Sequence, residues 1–226
     1  MARAELPADI EALTFDCYGT LIDWDAGIRG AIGATPSLAG CDVERLVSDR
    51  DRSERELEAG DWLPYDAVLE ASIRAAGRAQ GRETSAEERR AFAASMARWP
   101  PHPDSPAALA RLAARFRLAI LSNVQTATLR ASVQLLGAPF ATLVTAEELR
   151  SYKPARAHFD EGLRRLGLPR ERVLHVAQSL FHDVRPALRM GWWTAWVDRK
   201  SESLPADLRP HVVVGDLASL ADRLGA

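Results

Sequence analysis

The chain has 226 residues, 47% of them apolar and 27% charged, with a formal net charge of −2. That composition excludes long disordered stretches and allows a core of ordinary size, while a charge near zero argues against a nucleic-acid or polybasic membrane binder. Two cysteines, Cys17 and Cys41, are too few for a disulfide framework and read as buried free thiols.

In chain order, the segment from Met1 carries no apolar leader, and no apolar run approaches the length of a membrane span, which points to the cytoplasm. Ile10–Tyr18 reads as a strand running into a Gly-Thr turn. Residues 24–99 show no strand, and helical periodicity fits Val43–Glu58, Tyr65–Ala79 and Ala86–Arg98. The proline-rich run Trp99–Pro106 reads as a linker. Beyond it, helices and strands alternate. Strands are expected at Arg117–Ser122, Phe140–Thr145, Val173–Gln178, Thr194–Val197 and His211–Val214. Helices are expected at Pro106–Arg115, Thr126–Leu136, Ala155–Leu166, Val184–Met190 and Ala218–Leu224. Alternation of this kind implies a doubly wound α/β core with a mostly parallel sheet. Residues 1–23 and 100–226 would form the core, and 24–99 a helical cap.

Open parallel sheets hold their ligands at the C-terminal ends of the strands, so the strand ends carry the functional reading. They offer Asp16, then Ser122 and Asn123, then Lys153, then Asp183. A carboxylate such as Asp16 can act as a nucleophile by forming an ester that water later cleaves. Only Lys153 and Lys200 are lysines in a chain otherwise dependent on arginine, so Lys153 stands where arginine would be the default. Each residue also has a plainer reading: Asp16 and Asp183 as helix caps, Ser122 and Asn123 as loop formers, Lys153 as a solvated charge. The plainer readings weaken because all of them fall at successive strand ends.

Taken together, Phe15-Asp16-Cys17-Tyr18-Gly19-Thr20-Leu21, Leu121-Ser122-Asn123, Tyr152-Lys153-Pro154 and the stretch to Asp183 resemble the four motifs of the haloacid dehalogenase superfamily. The resemblance covers nearly the whole chain and implies a Rossmann-like core under a cap. Phosphatases of that superfamily carry an acid two residues after the nucleophile to protonate an alkoxide; here that residue is Tyr18, and a halide leaves without a proton. The sequence is therefore similar to the 2-haloacid dehalogenase branch. A Mg²⁺-dependent phosphatase and a non-catalytic binding protein are the alternatives. Ser179 stands where metal-dependent relatives place an acid, so no metal or other cofactor is expected.

By the same resemblance, Asp16 attacks the α-carbon of a short carboxylate. Lys153 holds Asp16 and helps bind the substrate carboxylate. Thr20 and Ser122 donate hydrogen bonds, and backbone N–H groups at Cys17 and Tyr18 bind the substrate. Asn123 lies near the leaving group, while Asp183 orients Lys153 or helps to activate water. A cap arginine receives the halide, with Arg45, Arg50 and Arg52 as candidates. Gln178, Leu180 and Phe159 depart from the branch pattern. Trp24 is a candidate for an apolar pocket wall, and His182, beside Asp183, for a base. The partner implied is a small carboxylate, with neither nucleic acid nor membrane, and the resemblance is compatible with a homodimer.

Overall fold

The computed structural model describes residues 6–226. The readings of the leader and of the core's first segment therefore fall partly outside the described residues. Chain order runs β1 (Ala12–Phe15), α1 (Trp24–Gly33), α2 (Val43–Glu58), α3 (Tyr65–Ala79), α4 (Ala86–Ser95) and α5 (Ser105–Ala113). It continues through β2 (Arg117–Ser122), α6 (Thr126–Leu136), β3 (Thr142–Thr145), α7 (Ala146–Leu149), α8 (Ala157–Leu166) and β4 (Val173–Ala177). The chain closes with α9 (Arg185–Arg189), β5 (Trp193–Val197), β6 (Val212–Val214) and α10 (Leu217–Leu224).

The six strands form one parallel sheet in the order β3-β2-β1-β4-β5-β6. β1 and β4 are buried along their whole length, because helices cover both faces of such a sheet and leave no polar side for alternation. The order in which successive strands are laid down reverses across the parallel β1–β4 pair, which opens a crevice at their carboxyl ends. Asp16 follows β1 immediately, and Gln178 follows β4.

Helices α1–α4 form a separate layer. α2 begins at Asp42, whose side chain accepts from the Arg45 N–H. α4 begins with a capping box in which Ser85 and Glu88 satisfy each other's N–H groups. The layer leaves and rejoins the sheet side through neighbouring stretches: Asp23 N–H donates to the Pro100 carbonyl at 2.8 Å, and His102 N–H to the Leu21 carbonyl at 3.0 Å. Trp99 is buried at this junction, edge-on to both Tyr18 and Trp24. Gly27 lies under it, where a Cβ would come within 2.3 Å of the indole.

Several boundaries differ from the sequence expectations. β1 is shorter than Ile10–Tyr18, since the chain must leave the ladder before Asp16 can face the crevice. The expected helix Ala86–Arg98 is α4 followed by a tighter 3-10 turn, Met96–Arg98. α1 was not anticipated, because its glycines interrupt the apolar period. Cys17 is buried as expected, but Cys41 is only half-buried. The three tryptophans near the last strands belong to the interior: Trp192 and Trp196 are buried and Trp193 is half-buried.

Candidate active site

Asp16, Lys153, Thr20 and Asp183 form one connected buried network at the crevice. Lys153 is 1% exposed. Its ammonium donates to Asp16 Oδ1 at 2.9 Å, to Asp183 Oδ1 at 2.7 Å and to the Leu121 carbonyl at 2.8 Å. All three donors of the ammonium are occupied. Thr20 Oγ1 donates to Asp16 Oδ2 at 2.7 Å and accepts from the Gln178 N–H at 2.9 Å. Both Asp16 oxygens are thereby fixed. Behind Asp183, His175 Nε2 lies 3.0 Å from Oδ1, and Thr14 Oγ1 lies 3.0 Å from His175 Nδ1. Thr14 and His175 are direct neighbours across β1 and β4, so sheet register builds this support.

Burial alone would lower the Lys153 pKa, but the Asp16 and Asp183 carboxylates outweigh it and the net shift is upward. Burial would likewise raise Asp183, but the charge of Lys153 and the contact with His175 outweigh it, and Asp183 is held well below the usual carboxylate range. Asp183 Oδ2 is buried with no protein partner.

Above this network lies a cavity of about 90 Å³ lined by Asp16, Tyr18, Trp24, Ser122, Asn123 and Lys153, with Glu54, Glu58 and Tyr65 contributed by the helical layer. A cavity of ~150 Å³ takes up a benzene ring, so only a small molecule fits here. A larger recess of about 740 Å³ shares Tyr18, Trp24, Glu54, Ser179 and His182 with it and leads outward past Arg199 and Lys200. A further recess of about 530 Å³, near Ile10, Phe116 and Val212, lies at the opposite, N-terminal end of the strands, away from these groups.

The remaining sequence candidates fall as follows. The Cys17 side chain is buried in the core. The N–H groups of Cys17 and Tyr18 make no hydrogen bond to another described residue. Tyr18 OH lies 2.7 Å from Ser132 Oγ, and burial drives its pKa upward, which suits a wall and not an acid. Ser122 lines the cavity. Asn123 brackets the Lys153 backbone, accepting its N–H at 2.7 Å and donating to its carbonyl at 3.1 Å.

Arg45 does not reach the cavity. Its side chain is 61% exposed and faces Asp49 one turn along α2. Arg52 also points outward, toward Asp49. Arg50 turns inward and is completely buried, but Glu54 takes both ends of its guanidinium, at 2.7 and 2.6 Å, with Asp51 at 3.0 Å. It packs 5.2 Å from the centre of the Trp24 ring. None of the three lines the cavity. Lys153, with every donor engaged inside the protein, has none left for a substrate carboxylate.

Sequence reasoning missed Glu54, Glu58, Tyr65 and His175. A signal did exist for the two glutamates: Arg50, Glu54 and Glu58 recur every four residues and so share one face of α2. His182, a candidate base from its place beside Asp183, lines the cavity. The reason is a π-helical turn, Leu180–Val184, closed by Val184 N–H to the Ser179 carbonyl at 3.0 Å. Such wide turns recur at functional sites, and here adjacent residues, His182 and Asp183, both face the cavity.

The donor set does not suit a divalent cation. Lys153 already stands between Asp16 and Asp183, and among the described residues no three His, Cys, Asp or Glu side chains are placed so that they could hold a metal ion.

The haloacid dehalogenase-like hydrolase family model matches residues 10–191. The chain is 27% identical over 223 residues to (S)-2-haloacid dehalogenase H-109 of Pseudomonas putida, covering 95% of this chain and 98% of that one. It is also 27% identical over 195 residues to haloacetate dehalogenase H-2 of Moraxella sp. (strain B), covering 84% and 86%. Among solved structures, the L-2-haloacid dehalogenase from Xanthobacter autotrophicus with chloropropionic acid covalently bound has the same fold, with a TM-score of 0.83 at 23% identity over 96% of this chain and 99% of that one. With four motifs gathered at one crevice and a family match over most of its length, the chain belongs to the haloacid dehalogenase-like hydrolases.

Proposed function

We propose that this hydrolase displaces halide from the α-carbon of a short 2-substituted carboxylate, as an L-2-haloacid dehalogenase-like enzyme of the cytoplasm. The observation that carries the reading is the fixed Asp16 carboxylate at the cavity floor, held by Lys153 and Thr20, with Tyr18 two residues on. An Asp16 oxygen attacks the α-carbon, the carbon–halogen bond breaks, and the halide leaves with the electron pair, which requires no acid. The N–H groups of Cys17 and Tyr18, with the Ser122 hydroxyl, hold the substrate carboxylate. Asn123 lies at the leaving-group side. Lys153 acts as a positioning charge for Asp16, and Asp183 with His175 holds Lys153. Water then cleaves the ester and releases the 2-hydroxy acid. Similarity to (S)-2-haloacid dehalogenases along almost the entire chain supports the same reading.

The test is halide release from L- and D-2-chloropropionate, chloroacetate and fluoroacetate, with and without EDTA, and with p-nitrophenyl phosphate in parallel. Halide from the L-isomer that persists in EDTA and falls to background in Asp16→Asn is the expected result. Mg²⁺-dependent nitrophenol release with no halide from any acid overturns it.

A further inference from the structure

Four carboxylates line the cavity: Asp16, Asp183, Glu54 and Glu58. Three are already committed. Asp16 is the nucleophile of the proposed reaction. Asp183 is bonded at Oδ1 to Lys153 and His175, and its Oδ2, although without a protein partner, is buried out of reach of solvent, which makes it a poor acceptor of a proton from the cavity. Glu54 receives the Arg50 guanidinium at both oxygens and the Tyr65 hydroxyl as well. Glu58 differs. Its side chain is 7% exposed. Oε2 lies 3.2 Å from His182 Nε2 and Oε1 3.5 Å from Asn123 Nδ2, so each oxygen keeps a lone pair for the cavity. His182 is aimed by Ser179, whose Oγ lies 3.2 Å from Nδ1 and accepts the His182 backbone N–H at 3.0 Å. Both ring nitrogens are thus engaged, and the imidazole serves to hold Glu58.

We propose that Glu58, supplied by the helical layer and positioned by His182 and Asn123, is the general base that activates the water hydrolysing the Asp16 ester. This rests on the ester mechanism proposed above. The water oxygen bonds to Cγ of Asp16 while its proton passes to Glu58. The Cγ–O bond to the substrate carbon then breaks, and the departing alkoxide takes the proton back from Glu58. The second water proton, left on the Asp16 carboxyl, is released to solvent as the 2-hydroxy acid leaves, and both carboxylates return to their starting state. Thr20 and Lys153, which already bond the two Asp16 oxygens, stabilise the charge that develops there. Burial raises the Glu58 pKa against the lowering contact with His182, which gives it the basicity the step uses. His182 is a positioning residue.

The roles separate in a single-turnover experiment. With L-2-chloropropionate, Glu58→Gln releases about one halide per active site in a fast burst and then stalls, with steady turnover lowered about 10²–10⁴-fold. Intact mass spectrometry of the stalled protein finds one carboxyethyl group added, on the peptide containing Asp16. The burst itself shows that the variant is folded. His182→Gln keeps the burst rate and slows only the second phase, by roughly tenfold, whereas a general loss of structure slows both. Steady turnover within a few-fold of the unsubstituted protein in Glu58→Gln overturns the assignment. So does loss of the burst, which would place Glu58 in the first step. No halide from the unsubstituted protein is a different failure: it overturns the dehalogenase reading and this inference with it.

Discussion

On the sheet side of the cavity every charged group belongs to one hydrogen-bonded network running from Thr14 through His175, Asp183 and Lys153 to Asp16 and Thr20. On the helical side the charges are arranged differently: Arg50 and Glu54 close on each other and on Tyr65, while Glu58 keeps only His182 and a long contact to Asn123. The sheet side is therefore built to hold one group, the Asp16 carboxylate, in place by both of its oxygens. Strands in register give that rigidity, because Thr14 and His175 cannot shift without breaking the ladder. The helical side combines a locked ion pair with one carboxylate left free to exchange a proton. The rigidly held Asp16 carboxylate and the less constrained Glu58 carboxylate come from different layers.

The largest test of that contrast is Lys153→Met. It leaves Asp16 and Asp183 facing each other, buried and without their shared counter-charge. Urea unfolding should show a loss of about 3–5 kcal/mol, and halide release should vanish. On the other side, Glu54→Gln weakens one partner of Arg50 while Asp51 remains, so the expected loss is smaller, about 1–3 kcal/mol, with the halide burst kept within a few-fold. If the two substitutions cost the same, the helical side is as tightly bound as the sheet side and the contrast fails.

A third test concerns His158, buried on α8 against the strand-end carbonyl of Ser122, with Nε2 at 3.2 Å from it. Burial, reinforced by the charge of Lys153, pushes its pKa down to about 3 from an ordinary 6.5. Above about pH 6.5 the ring is neutral in both the folded and the unfolded chain, and its stabilising effect is fully present. As the pH falls below that, the unfolded chain takes up a proton that the folded protein refuses, so stability declines until about pH 3. The slope from this group is at most about 1.4 kcal/mol per pH unit. His158→Gln should flatten the acid side of a stability–pH curve taken by urea unfolding. An unchanged slope means that His158 is not what makes the sheet side acid-sensitive.

Much of the fold could be read in advance for a local reason. α2, α3, α6 and β2 have the predicted bounds, since α3, α6 and β2 carry regular apolar patterns and the polar α2 is bounded by its Asp42 cap and by Gly60. Elements with conflicting signals shifted: β1 gave up its ends to the turn that carries Asp16, and α1, with three glycines, had no period to detect. The sheet half of the site was legible because a parallel sheet brings its strand ends together. Asp16, Ser122, Asn123, Lys153 and Asp183 meet at one cavity for that reason, with Thr20 bonded to Asp16 beneath it.

The cap half was not legible in the same way. Arg45, Arg50 and Arg52 are equivalent in sequence, each a basic residue on a polar helix. Only the rotation of α2 against α3 and the junction at Trp99 decides that Arg50 turns inward and is neutralised while Arg45 faces water. The same rotation carries Glu58, 65 residues away in sequence, to Asn123, and to His182, 124 residues away. Local period and strand-end chemistry, which sequence alone determines, carried the α/β core and the place of Asp16 at its ligand edge. Tertiary packing decided which face of the helical layer meets them, and with it the charge on the far wall of the cavity, because a helix's period shows that its faces differ but not which one its neighbours will cover.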